Sequence, residues 1–161
     1  MQFVRATLRR LLVLLASALA VLLATSALAP AADAAGASRL TRVQHATRIA
    51  LAQIGDPYRY GAAGPRAFDC SGLIYYSFRH AGIGVPRTAA AQARATRHIR
   101  KSSMRRGDLM FFTGGGGVYH AAVFLGWSHG HATMVHSPRP GERVRRDRPW
   151  TTHWFAGTLR R

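Results

Sequence analysis

Phe68-Asp69-Cys70-Ser71-Gly72-Leu73-Ile74 sets the single cysteine of this 161-residue chain at the point where a loop gives way to a helix. Upstream, residues 58–68 hold Gly61, Gly64 and Pro65, which cannot sustain a regular element. Downstream, the spacing predicts a helix from about Ser71 to Ala81, stopped at Gly82. The first turn of a helix exposes unpaired N–H groups and the positive end of the helix dipole, both of which favour an anion. A thiol there is expected to have a lowered pKa and to be partly thiolate. One cysteine cannot form an internal disulfide, and a lone thiol outside the cytoplasm is a liability unless it is used or buried. Cys70 is therefore the candidate nucleophile.

Working outward, apolar residues at Val43, Ala46, Ala50, Leu51 and Ile54 predict a helix over Thr41 to Ile54, after a short linker at 36–40. Ala89 to Thr96 reads as a third short helix and Arg97 to Arg106 as a basic connection. The texture then changes to short β-like runs at Asp108–Phe112, Val118–Leu125, Thr133–His136 and Thr152–Leu159, divided by Gly, Pro and Ser. Helices first and strands afterwards predict an α+β domain, with N-terminal helices packed on an antiparallel β-sheet.

Residues 1–35 read as a secretory signal. Arg5, Arg9 and Arg10 precede an apolar run, Leu11 to Leu23, and Ala27-Leu28-Ala29 and Ala32-Asp33-Ala34 offer cleavage tripeptides. The run falls short of the roughly 20 residues that span a bilayer. One domain, 36–161, follows, and a monomer outside the cytoplasm is expected. The formal charge is +17, from 23 basic and 6 acidic residues, and Lys101 is the only lysine. Residues 1–35 hold three arginines and one aspartate, a net +2, which leaves +15 for the remainder. Such a surface attracts polyanions. For an exported chain these are anionic wall polymers or lipid headgroups, and nucleic acid is not expected.

A cysteine nucleophile needs a base, and the base needs a group to orient it. Of eight histidines, His120 and His136 lie on different predicted strands, which antiparallel pairing can bring side by side. His120 is the candidate base and His136 the candidate orienting group, with His131 the alternative to His136. A zinc site would want about four ligands at short paired spacings, and there is no second cysteine, so neither metal nor cofactor is expected.

These stretches resemble a known pattern. Asp56-Pro57-Tyr58-Arg59-Tyr60-Gly61 with Phe68–Ile74 is similar to the Pro-Tyr-x-x-Gly-Gly and Asp-Cys-Ser-Gly-Leu-Val segments of the NlpC/P60 cysteine peptidases. Pro86-Arg87-Thr88 with Gln92, Gly107-Asp108-Leu109-Met110-Phe111-Phe112, His120–Gly126 and Met134-Val135-His136 resemble further segments, in family order. The resemblance implies a papain-like core with Cys70 as nucleophile, His120 as base and His136 as third member. It implies that Tyr58 helps stabilise the oxyanion and that Asp69 and Ser71 hold a free amine of the substrate. The implied substrate is the peptidoglycan stem peptide, cut at a D-γ-glutamyl-diamino acid bond. A wall-binding protein without catalysis, or a relative acting on another amide or ester, is the alternative. Ala62 and Ala122 stand where the family pattern has glycine, and the hairpin from Gly126 to Ala132 is long for it.

Overall fold

The computed structural model describes residues 31–160, so the signal expected over 1–35 lies almost wholly outside the described residues. The chain divides into units Met1–Ala35 and Gly36–Arg161, and apart from residues 31–35 of the first helix everything described below belongs to the second. Helix α1 (Ala31–Ala52) takes in residues 36–40, expected as a linker, and ends two residues early at the turn around Gly55. The alanine-rich start explains the difference, because alanine is the strongest helix former and a single glycine does not stop it. Val43, Ala46, Thr47 and Ala50 form the buried stripe. Gly107 lies so close beneath Val43 and Thr47 that a side chain there would collide with both.

Helices α2 (Cys70–His80) and α3 (Ala89–Ala95) pack on a six-stranded sheet. The strands are β1 (Arg97–Ile99), β2 (Leu109–Gly114), β3 (Gly117–Ser128), β4 (His131–His136), β5 (Arg145–Asp147) and β6 (Trp154–Thr158), in the order β1-β6-β2-β3-β4-β5. Every pairing is antiparallel, as the α+β reading requires. Strand residues alternate between two apolar clusters. Leu109, Phe111, Ala121, Val123 and Val135 meet Leu73, Ile74 and Phe78 of α2. Met110, Phe112, Ala122, Phe124 and Met134 join Met104 and Trp154 on the other side.

Two strands depart from the sequence expectation. Arg97–Ile99, expected as connection, and Arg145–Asp147, outside every expected strand run, form the two edges of the sheet. Edge strands face water on one side and are guarded by charge against pairing with other chains, so they lack the apolar alternation that marks a strand. The β3–β4 hairpin closes through His129 and Gly130, both at positive φ, a two-residue turn that matches strand twist.

Candidate active site

Short backbone bonds fix the loop ahead of the cysteine. Gly55 N–H donates to Val144, Val144 to Asp56 and Tyr58 to Glu142, at 2.9, 2.8 and 2.9 Å. Arg59 donates to the Phe68 carbonyl and Phe68 to that of Pro57. Ser137 Oγ closes the other side by donating to the Phe68 carbonyl at 2.7 Å. Tyr58 is thereby held at a set position beside Cys70.

Asp69 is the N-cap of α2, with its Oδ1 accepting from Gly72 N–H at 2.6 Å. Gly61 N–H donates to Oδ2 at 2.9 Å. Arg87 clamps both oxygens, Nη1 to Oδ1 at 3.0 Å and Nη2 to Oδ2 at 2.6 Å, and also donates to Ser71 Oγ at 3.1 Å. Burial works to raise the Asp69 pKa, but the Arg87 and backbone bonds outweigh it and hold the carboxyl below its ordinary range. Gly72 is required here, since a Cβ would run into the Ala62 carbonyl.

Cys70, Tyr58, His120 and His136 line one cleft of about 490 Å³. Pairing of Val123 with Val135 sets the two histidines, three residues before the one and one after the other, diagonally across β3 and β4. His120 Nε2 lies 2.9 Å from His136 Nδ1. If His120 Nδ1 is to take the thiol proton, Nε2 must carry the hydrogen and donate to His136 Nδ1. The His136 hydrogen then sits on Nε2, which is buried, makes no hydrogen bond and faces Asp147 Oδ2 at 3.7 Å. Asp147 is held by Arg145 at 2.9 Å and by Arg148 N–H at 2.8 Å. At 3.7 Å the carboxylate acts on His136 through its charge.

Trp150 covers the histidines. Its ring stacks on Phe112 at 4.5 Å and lies 5.2 Å from the His120 ring and 5.8 Å from that of His136, while the residue remains 54% exposed.

The expected lowering of the thiol pKa is reversed. Burial pushes the Cys70 thiol up and the Asp69 charge adds to it, while N–H groups of Ala121, Ser71 and Cys70 itself pull the other way. The helix start does supply favourable donors, but desolvation of the sulfur is the larger effect. Burial also pushes His120 down to about 3, helped by His136, and His136 down to about 4, partly countered by Asp147. The resting pair is a neutral thiol beside a neutral imidazole.

These buried histidines make stability depend on pH. Between pH 6.5 and about 4 the unfolded chain binds protons that the folded chain refuses, so stability falls as pH falls. The urea midpoint is expected to drop steadily from about pH 7 to about pH 4.5, and His120→Gln is expected to flatten that slope. An unchanged midpoint across this window would contradict the burial of both rings.

Of the residues singled out from sequence, Cys70, His120, His136 and Tyr58 are brought together. Asp69 and Ser71 do not line the cleft; they knit the loop–helix junction, and a substrate ammonium would have to displace Arg87 to reach Asp69. His131 is exposed at the start of β4, paired with Ser128. Sequence reasoning misses Arg87, Asp147 and Trp150 as site residues. Asp147 is the one acidic residue in the Arg143–Arg148 run, and that contrast is the available signal.

The sequence model of the NlpC/P60 family matches residues 55–160. A probable endopeptidase of Corynebacterium glutamicum strain R is 38% identical over 109 residues, 68% of this chain and 49% of that protein. Murein DD-endopeptidase MepH of Escherichia coli K12 is 39% identical over 113 residues, 64% of this chain and 40% of that protein. This chain thus spans half or less of the length of both relatives. The crystal structure of the P60 domain from an antigen of M. avium subspecies paratuberculosis superposes with a TM-score of 0.67 at 27% identity, covering 76% of this chain and 98% of that one.

Proposed function

This chain belongs to the NlpC/P60 family, and on that premise we propose that it is a cysteine endopeptidase that hydrolyses amide bonds in peptidoglycan stem peptides. The observation that carries the reading is the line Cys70, His120, His136 in a single cleft, with the two imidazoles 2.9 Å apart. His120 takes the thiol proton as the sulfur attacks the amide carbon, which is consistent with both groups being neutral at rest. The tetrahedral oxyanion is met by first-turn N–H groups of α2 and by the Tyr58 hydroxyl. His120 then returns the proton to the leaving amine, and the thioester is hydrolysed by water.

The proposed bond joins D-γ-glutamate to the diamino acid. A second reading, cleavage of a D,D cross-link, is favoured by the name of the Escherichia coli relative. Mass spectrometry of products from digested peptidoglycan separates them. A new N-terminus on the diamino acid, with the two residues that precede it left on the sugar, is the expected result. Uncrosslinked but intact stems would give the bond to the second reading. Undigested wall, with the protein retained on it, would support the non-catalytic wall-binding alternative. We further propose that residues 1–35 direct export, which places the domain on the side of the membrane where its substrate lies.

A further inference from the structure

A groove of about 620 Å³ opens where edge strand β1, the 3-10 turn at Lys101–Ser103 and Arg160 meet, and it shares no lining residue with the Cys70 cleft. Its lining carries four arginines, Arg97, Arg100, Arg105 and Arg160, together with His98, and no carboxylate among the described residues. The acid beside it, Asp108, is fully buried, its Oδ2 accepting from Arg160 Nη2 at 2.9 Å and from Arg105 N–H at 2.7 Å while its Oδ1 makes no hydrogen bond. Arg160 has a second bond from Nε to Thr158 Oγ1 at 3.0 Å, but its Nη1 is buried without any hydrogen bond. Burial and the charges of Arg105 and Arg97 lower the Arg160 pKa in spite of Asp108. Three exposed guanidinium groups, Arg97, Arg100 and Arg105, gathered in one groove whose lining has no carboxylate are a poor arrangement for a surface with no ligand and a good one for a surface that takes an anion.

We propose that this groove is a binding site for a flexible phosphodiester-type polyanion, which would hold the domain on an anionic wall polymer independently of its cleft. Guanidinium forks match phosphate oxygens in pairs. A groove of this volume admits a run of such groups rather than one ion. The spread of Arg97, Arg100 and Arg105, all exposed, along the groove favours a chain over a membrane, because successive phosphates of one chain can each meet a guanidinium. The structure thereby gives part of the arginine excess a place and a ligand class.

The test is binding of fluorescently labelled linear inorganic polyphosphate to the purified chain, followed by anisotropy from about 0.05 to about 0.3 M KCl. The variant Arg97→Gln/Arg100→Gln/Arg105→Gln is compared with Arg48→Gln/Arg66→Gln/Arg79→Gln, which removes the same charge from exposed positions outside the groove. The groove variant is expected to lose about tenfold or more in affinity at roughly 0.15 M salt. Its slope of log K against log salt should become shallower by about 2, at roughly 0.7 for each phosphate that the protein no longer neutralises. The control is expected to lose less than about threefold. Equal losses in both variants would reduce the effect to net charge and overturn the site. So would a groove variant that keeps polyphosphate and loses only phosphatidylglycerol vesicles, which would make the groove a membrane-binding surface. Polyphosphate binding involves no turnover, so a failure here and a failure of the peptidase reading are separate results.

Discussion

Replacing Cys70 with alanine is expected to abolish hydrolysis of wall peptides, by on the order of 10⁴-fold or more, because Cys70 is the single cysteine and its sulfur is the atom that takes the acyl group in the proposed mechanism. The urea midpoint should move little, since the exchange removes one sulfur from the mouth of a cleft and leaves the Asp69 cap and its clamp by Arg87 untouched. Alkylation of the wild type by iodoacetamide tests the resting state more sharply. Only the thiolate reacts, and burial holds the thiol above its ordinary value of 9.0. The inactivation rate should therefore climb about tenfold per pH unit through roughly pH 7–9 without levelling off. A plateau reached near about pH 5 would show that a thiolate–imidazolium pair already exists at rest and would overturn the neutral pair described here. Full activity in Cys70→Ala would end the cysteine-peptidase reading altogether.

His120→Ala is expected to be nearly as damaging, at about 10³-fold or more, because the thiol then has no acceptor for its proton. His136→Ala should cost less, about 10- to 100-fold. What it removes is the acceptor at Nδ1 that selects the His120 tautomer, and water admitted to the space can replace part of that bond. His131→Ala should be silent, as that side chain stands exposed at the far end of β4. Peptide hydrolysis by the three variants, with folding checked by urea midpoint, decides the assignment. A silent His136→Ala together with a damaged His131→Ala would remove His136 from the third position. The two rings share burial, a hydrogen bond and the cover of Trp150, so their effects should not add: the double variant should fall little below His120→Ala alone.

Local pattern carries a large part of this fold. Helices α2 and α3 can be read in the chain because each has one face in the core, a period of 3.6, and the four inner strands because burial on both faces writes short continuous apolar runs. Asp69 and Gly72 mark a helix start by backbone chemistry that acts within four residues, and Cys70 stands out because it is alone. His120 and His136 are legible as candidates because each lies on a predicted strand, with His131 the alternative to His136. The edge strands β1 and β5 are not legible, because one side of each meets solvent and no apolar alternation is selected there.

What lies beyond local pattern depends on residues far apart in the chain meeting in space. The thiol shift has the opposite sign from the helix-dipole expectation because tertiary packing desolvates the sulfur, an effect larger than the opposing pull of the Ala121 N–H from β3. By sequence Asp69 is available to a substrate amine; in the fold Arg87, 18 residues on, closes both of its oxygens. Asp147 behind His136, Trp150 over the pair and the arginines gathered around Arg160 are likewise products of the sheet order and of loop paths. Residue type and spacing determine which elements form and which groups are chemically able to react. Burial and charge pairing determine which of them do, and both are set by the distances that only the packed chain creates.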